Sequence, residues 1–516
     1  MLDAATLWEL IEARAAATPD ALLAVDEADR AMSFAQYKAA AERCAAGLMN
    51  RGITEESAVS WILPTRIEAI VLAGALSRLG AVQNPILPIY RHREVGFAVR
   101  ESQAKLLVVP GTFRGFDFPE MAQEIAGEVS GLEWLRVDKA EELPDADPAT
   151  LPAALGRASE DAAPVRWLFY TSGTTADPKG ALHTDASIMV SGRSLVRVCG
   201  MDERDRIALV FPFTHVGGMG WFIAGLMVGC GQIVVETFDP ATAIPLLAKH
   251  GVTLATAGTA FHQAYLDAQR EQAGTALFPD IRSFPGGGAP KPPQLHYDIK
   301  REMGGAGIVS GYGLTECPIV AMNSFDDPDE KLAQTEGRAN PPGEMQIKIV
   351  RLDGKLADCG EEGEIRVKGP QLCKGYLDPK LNQSAFDEDG FFRTGDLGNL
   401  DQDDFLTITG RLKDVIIRKG ENISAKEVED LLYQHPKVAD VAVIGLPDVR
   451  SGERCCAVVQ CVEPGEPLEF EEMVAFLKDQ NLMLQKIPEQ LELIDEIPRN
   501  PTGKIPKHNL RARYSN

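Results

Sequence analysis

The chain carries Trp167-Leu-Phe-Tyr-Thr171-Ser172-Gly173-Thr174-Thr175-Ala176-Asp177-Pro178-Lys179-Gly180. An apolar strand runs here into a loop of hydroxyls and glycine that ends on one lysine. Backbone N–H groups in such a loop can surround phosphate oxygens, the hydroxyls add donors, and the lysine adds charge. Lys179 is followed by Gly-Ala and not by Ser or Thr, so this is not a Walker loop. Taken alone, the stretch also reads as an ordinary Ser/Thr/Gly turn.

Upstream, residues 5–18 place Leu7, Leu10, Ile11 and Ala15 on one face of a helix. Ser33-Phe opens an Ala-rich helix that runs to about Met49, with Gly52 as its stop. Ala58 to Pro64 reads as a buried strand, Ile67 to Leu79 as a helix ending at Gly80, and Ala81-Val-Gln-Asn-Pro as the next strand. The rhythm returns at Leu106–Pro110, Ile207–Phe211 and Gln232–Glu236, which predicts parallel sheets covered by helices, an α/β fold. After about residue 340, period-two runs (Met345–Arg351, Gly363–Gly369, Phe405–Thr409) predict an antiparallel sheet or partial barrel. Beyond Gly410 the pattern is helix (Ala425–Gln434), strand (Val438–Ile444), strand (Glu453–Cys461) and helix (Glu471–Asn481). A Pro/Gly/Lys-rich tail follows, and together these make a small α+β domain.

With 516 residues, two or three domains are expected. The 52 Lys and Arg against 75 Asp and Glu leave a net charge of −23, which argues against nucleic-acid binding and against anionic membranes. Any polyanionic ligand therefore needs its positive groups concentrated at one site. Nine cysteines with no C-x-x-C pair fit neither a zinc ribbon nor a disulfide framework, and point to a reducing, cytoplasmic location. The start lacks a signal-peptide pattern, and the apolar stretch Trp221–Val235 is too short and too glycine-broken for a membrane span.

Three further segments carry chemistry. In Ile308-Val-Ser310-Gly311-Tyr312-Gly313-Leu314-Thr315-Glu316 a strand ends in a Gly-aromatic-Gly turn. Tyr312 can cover a planar base there, and Glu316 can hold Mg²⁺. Phe392-Arg-Thr-Gly-Asp396-Leu-Gly and Gly410-Arg411-Leu-Lys413-Asp supply a carboxylate able to accept two hydrogen bonds from a ribose diol. Pro498-Arg-Asn-Pro-Thr-Gly-Lys504-Ile holds a lysine on a rigid loop. Singly, each is also an unremarked turn.

In this order and at these separations they closely resemble the adenylate-forming superfamily of acyl-CoA synthetases, aryl-CoA ligases, peptide-synthetase adenylation domains and beetle luciferase. The resemblance runs from the Ser33-Phe segment to Lys504. It implies a large N-terminal ATP- and acyl-binding domain (1–412) of two helix-covered sheets plus a distorted antiparallel β-barrel. A small mobile α+β domain (413–516) then carries the catalytic lysine. It also implies that Thr171, Ser172, Gly173, Thr174, Thr175 and Lys179 bind the β- and γ-phosphates. Gly287, Gly288, Ala289 and Pro290 border adenine, beside Gly311 and Gly313, and Tyr312 stacks on the base. Thr315 touches the α-phosphate, Glu316 holds Mg²⁺, and Asp396 with Arg411 binds ribose. Lys413 is the hinge and Lys504 the catalytic lysine. Arg418-Lys419-Gly420-Glu421-Asn422 resembles the loop that approaches the pantetheine arm of CoA, although Glu421 stands where the family has an aromatic.

Phe211-Pro-Phe213-Thr-His215-Val216-Gly217-Gly218 resembles the pocket-entry motif of acyl- and aryl-CoA ligases. The expected acyl lining is Phe213, His215, Val216, Gly217, Gly218, Trp221, Thr259, Gly287, Gly288, Ser310 and Cys317, with glycines leaving width and no Lys or Arg among them. No carboxylate lies in Pro212–Thr214 to pair an α-ammonium, which disfavours amino acids. The resemblance thus implies an ATP- and Mg²⁺-dependent acid–thiol ligase that makes an acyl-adenylate and then an acyl-CoA. The acid is an apolar monocarboxylate: alicyclic (cyclohexanecarboxylate-like), aromatic or medium-chain. The alternative is transfer to a carrier protein. Expected partners are the acid, ATP and CoA, with no nucleic acid and no integral membrane association; a homodimer is left open.

Overall fold

Along the strand Arg206–Leu209, Ile207 and Leu209 enter one core while Ala208 enters another. In Leu106–Val109, Leu106 and Val108 enter that first core, and Leu107 and Val109 a third. Both faces of these strands are covered, which is why they read as unbroken apolar runs. The computed structural model describes residues 1–155, 163–171, 178–272, 274–288, 291–418, 421–448, 452–480, 482–499 and 505–515.

One sheet has the order Arg206–Leu209, Gly231–Val234, Leu22–Val25, Ala31–Ser33, parallel except for the last strand. Bridges through Leu254 to Ile207 and Ser283 connect it to the strands Phe284–Gly287, Ile308–Leu314 and Cys317–Met322. The second sheet has six strands: Lys179–His183, Trp167–Thr171, Val82–Pro85, Ala58–Trp61, Leu106–Val109 and Glu133–Arg136. It is parallel except for the edge strand Lys179–His183. The helices Leu7–Ala17, Phe34–Asn50, Ile67–Leu79, Asp185–Val198 and Val216–Val228 share the first core with both sheets. Each large side chain fully buried there, such as Trp61, Phe213 or Phe222, stabilises the fold by about 1.5–3 kcal/mol.

Local signals set the boundaries. The Ser33 hydroxyl accepts from Gln36 N while the Gln36 side chain accepts from Ser33 N, a reciprocal cap that starts the second helix. Gly80 (φ 66°) and Gly229 (φ 86°) end the helices Ile67–Leu79 and Val216–Val228 in the left-handed region. The apolar stretch Trp221–Val235 is therefore the end of one helix plus the strand Gly231–Val234, wholly inside the core.

Strands Gln346–Val350, Gly363–Lys368, Phe392–Leu400 and Leu406–Arg411 form an antiparallel sheet with register breaks after Glu364 and Leu397, the distorted sheet expected. It packs Ile349, Ile365, Val367 and Leu406 against Cys317, Val320 and Ala321. The last sheet contains Glu421–Ile423, Ile416–Arg418, Gly452–Cys461, Val438–Asp448 and Gln490–Leu493. The helices Ala425–Leu432 and Phe470–Asp479 cover one face, and Lys507–Tyr514 packs Leu510 on the other. The strands Ile416–Arg418, Glu421–Ile423 and Gln490–Leu493 and the helix Lys507–Tyr514 were not foreseen. The strands are too short to show a period, and Leu510 is the one buried residue of that helix. Among the described residues no helix is long and apolar enough to cross a membrane.

Candidate active site

Thr171 pairs with Lys179 across an antiparallel ladder, so the two ends of the phosphate-loop segment lie on adjacent strands. The Lys179 ammonium lies 5.3 Å from the centroid of the Tyr376 ring. The Tyr376 hydroxyl in turn donates to the Glu316 carboxylate. Residues 374–377 run beside the Lys179–His183 strand, with Leu182 N donating to Gly375 O (2.9 Å) and Leu377 N to Gly180 O (2.8 Å). Tyr376 is thus delivered to the hairpin by backbone pairing.

The glycine-rich segment departs from its expected form. Gly311, Tyr312 and Gly313 are strand residues of Ile308–Leu314, and Leu314 pairs with Cys317, so Thr315 and Glu316 are the two-residue turn. The glycines answer to close approach: a Cβ on Gly313 would stand 2.5 Å from Ile319 N, and one on Gly287 would stand 2.2 Å from Gly311 O. The Thr315 carbonyl accepts from His183 Nε2 (2.8 Å), and the Glu316 carbonyl accepts from Cys373 N (2.8 Å).

Burial pulls the His183 imidazole down to about 4, and does the same to His262. In the unfolded chain both bind a proton near pH 6.5. Between those values the unfolded state holds more protons, so stability is lost as pH falls from about 6.5 toward 4. The urea midpoint at pH 5 is therefore expected below that at pH 7, and His183→Asn should weaken this dependence. An unchanged slope in the variant would show that His183 does not carry it.

Asp396 is buried opposite Arg411 in the register of its sheet. Its carboxylate accepts from Arg411 Nε (3.0 Å) and from the Tyr312 hydroxyl (2.7 Å). Burial and the Asp396 charge push the Tyr312 phenol well up, so it stays a donor. Tyr312 therefore ties the strand leading to Glu316 to the Asp396–Arg411 pair.

His215 caps the helix Val216–Val228, its Nδ1 accepting from Gly217 N at 3.1 Å. His215, Val216, Thr214 and Thr315 line one cleft with Tyr90 and Tyr170. The Thr214 and Tyr90 hydroxyls are buried there without a partner among the described residues. Other expected lining residues sit elsewhere. Phe213 is fully buried against Phe222 (5.4 Å) and Trp61 (5.9 Å), and Trp221 belongs to the same core. Cys317 is fully buried in the core under the antiparallel sheet. Thr259 begins the helix Thr259–Glu271 and is half-buried. The expectation that glycines give width is corrected at two positions. A Cβ on Gly218 would meet Pro212 O at 2.6 Å, and Gly287 is fixed by Gly311, so both are demanded by backbone contact. Gly217 faces the His215 ring, and Gly288 (φ 86°) is the one with open space.

Ser310 donates to the Glu336 carboxylate, and Glu336 lies within electrostatic reach of Lys291. Burial pushes the Lys291 ammonium down to about 8, and it donates to the Leu332 and Ala333 carbonyls. Ionisable side chains thus stand behind Ser310, where the sequence offered only neutral residues. Lys413 occupies the turn Leu412–Asp414 between two sheets, and desolvation lowers its ammonium below the ordinary range. Glu421 begins the strand Glu421–Ile423. Ser172, Gly173, Thr174, Thr175, Ala289, Pro290, Lys419, Gly420 and Lys504 lie outside the described residues.

Glu316 offers one buried carboxylate, an oxygen donor of the kind Mg²⁺ takes; an ion there would complete its shell with phosphate oxygens and water. That is how Mg²⁺ is commonly held.

Two helix-covered sheets, a distorted antiparallel sheet and a small α+β unit, in this order, match the architecture expected of adenylate-forming ligases. The family model for AMP-binding enzymes matches residues 11–377, and that for the AMP-binding enzyme C-terminal domain matches 427–504. The medium-chain fatty-acid–CoA ligase of Escherichia coli is 31% identical over 98% of this chain and 90% of its own length. The salicyl-AMP ligase / salicyl-S-ArCP synthetase of Mycobacterium tuberculosis is 31% identical over 98% of this chain and 90% of its own. The o-succinylbenzoate coenzyme A synthetase of Bacillus subtilis, solved in complex with ATP and magnesium ion, superposes with a TM-score of 0.84 at 28% identity, covering 97% of this chain and 99% of that one. The chain belongs to the AMP-binding enzyme family and is an acid–thiol ligase.

Proposed function

We propose that this chain is an ATP- and Mg²⁺-dependent carboxylate–CoA ligase that makes an acyl-adenylate and then an acyl-CoA thioester. The observation that supports it best is convergence. Tyr376 joins Lys179 to Glu316, and Tyr312 joins the strand that leads to Glu316 with Asp396 and Arg411. Phosphate, metal and ribose groups, assigned by family resemblance, therefore meet through described side chains. Mg²⁺, when bound, neutralises triphosphate charge so that a carboxylate can approach the α-phosphorus.

In the first half-reaction Lys179 and the loop before it hold phosphate oxygens, and Glu316 presents its carboxylate for the cation. Asp396 and Arg411 orient the ribose, and Lys504 compensates charge between the attacking carboxylate and the α-phosphate. Pyrophosphate leaves and a mixed anhydride remains. In the second, CoA thiolate attacks the acyl carbon and AMP leaves. We place the domain boundary at 412/413 and the CoA-facing loop at Lys419-Gly420-Glu421, and a cytoplasmic site of action accords with this chemistry.

The substrate class is an apolar monocarboxylate: medium-chain, aromatic or alicyclic. The fatty-acid and salicylate activities named for two relatives support the first two. Ser310, donating to the Glu336 carboxylate behind it, adds one polar feature, suited to a hydroxyl on the acid and not to a second carboxylate. Each methylene is worth only about 1–3 kcal/mol, so neighbouring chain lengths are all accepted. Transfer to a carrier protein is the second reading, favoured by the salicyl-S-ArCP synthetase relative.

Pyrophosphate release with octanoate, benzoate, cyclohexanecarboxylate, acetate and palmitate, with and without CoA, tests both readings. Turnover that does not respond to CoA would favour the carrier, and acetate or palmitate leading in kcat/KM would overturn the pocket reading. Glu316→Gln should raise the Mg²⁺ concentration needed for pyrophosphate release; an unchanged Mg²⁺ dependence would remove Glu316 from the metal role.

A further inference from the structure

Tyr376 stands 60 positions from the carboxylate it contacts, and none of the sequence segments that suggested the site includes it. It is 4% exposed and Glu316 8%, so the Glu316 carboxylate is held away from bulk water and needs a donor. The Tyr376 phenol supplies one such donor without bringing a positive charge of its own. The ring's face also lies 5.3 Å from the Lys179 ammonium, within cation–π range. Tyr376 itself is fixed by backbone: it bridges to Ala181 of the hairpin strand, and its N–H donates to Asn382 Oδ1 at 2.8 Å.

We propose that Tyr376 is a positioning residue that sets the metal-holding carboxylate of Glu316 and the phosphate-holding ammonium of Lys179 at one spacing, through its hydroxyl and its ring face. This rests on the reading of Glu316 as the Mg²⁺ ligand and Lys179 as a phosphate ligand. Tyr376 takes no part in bond making. Its hydroxyl restricts the carboxylate to one rotamer, so the metal does not have to order it on arrival.

The test is calorimetric titration of ATP into wild type and Tyr376→Phe, once with Mg²⁺ and once with EDTA, with thermal midpoints recorded. The Phe variant keeps the ring and its packing on Phe392, whose centroid is 6.3 Å away. The affinity gained from Mg²⁺ is expected to fall about tenfold to a hundredfold, the value of one hydrogen bond to a charged group. ATP binding in EDTA and the thermal midpoint should stay near wild type. Tyr376→His, which keeps a ring donor, should recover part of the gain. A full Mg²⁺ gain in the Phe variant, or an equal loss of affinity in EDTA, would overturn the proposal. Should that variant not fold, Tyr376→Met is read for the Mg²⁺ gain alone, because it also takes the ring face from Lys179. Glu316→Gln separates the layers. If it too retains the Mg²⁺ gain, the reading of Glu316 fails; if it alone loses the gain, the role of Tyr376 fails.

Discussion

Lys504→Ala is expected to lose adenylation by about two to three orders of magnitude, the scale for removing one preorganised group from developing transition-state charge. It should retain thioester formation from supplied acyl-adenylate. The first half-reaction brings a carboxylate anion against a phosphate anion, and a cation between them is needed only while that repulsion lasts. The second attacks a neutral acyl carbon and expels AMP. The loop's flanks are anchored independently of that lysine. Arg499 donates to Asp440 at 2.7 Å on one side, and Lys507 pairs with Glu429 at 2.7 Å on the other. Truncating the side chain at 504 therefore leaves these anchors intact, and the thermal midpoint should not move. Isotope exchange between pyrophosphate and ATP reads the first step, and acyl-CoA formed from synthetic acyl-adenylate reads the second. Equal losses in both would make the lysine structural.

How much of this was legible in the sequence depended on whether the signal was local. Strands such as Leu106–Val109 and the helix Ile67–Leu79 with Gly80 could be read because both carry their boundaries within a dozen residues. The segment from Thr171 to Lys179 could be singled out because its hydroxyls, glycine and lysine are consecutive. Tyr376 could not, since it reaches Glu316 only through the pairing of residues 374–377 with the Lys179–His183 strand. His183 was missed for the same reason, its partner Thr315 lying 132 positions on. Composition also misled in one place. Gly218 and Gly287 looked like space for a ligand and are instead demanded by neighbouring carbonyls. A glycine records that a Cβ is excluded, and the sequence does not say whether backbone or substrate excludes it.

Lys413→Pro should spare adenylation and stop thioester formation. The residue lies between two anchored neighbours. Arg411 is tied to Asp396 on one side, and Asp414 accepts from Arg511 of the C-terminal helix at 2.9 Å on the other. A rotation of the small domain against the large one therefore concentrates on the backbone of Leu412 and Lys413. Hinges of this kind absorb a domain motion in a few dihedrals at element ends. In this structure Leu412–Asp414 is a 3₁₀ turn, whose φ of about −50 to −70° overlaps what proline allows. The substitution thus restrains φ at 413 near the present turn, at some cost to the conformation of Leu412 before it, and resists departure from it. If the second half-reaction requires the small domain to turn and bring the Lys419-Gly420 segment toward CoA, a chain locked in φ at 413 makes acyl-adenylate and releases pyrophosphate but accumulates the adenylate. Lys413→Gly is the control: it removes the same side chain, keeps the freedom, and should turn over CoA near the wild-type rate. Quenched-flow measurement of acyl-AMP and acyl-CoA in one time course distinguishes the two variants. Normal CoA turnover in the proline variant would refute the hinge at Lys413, and equal loss in the glycine variant would assign the effect to the ammonium.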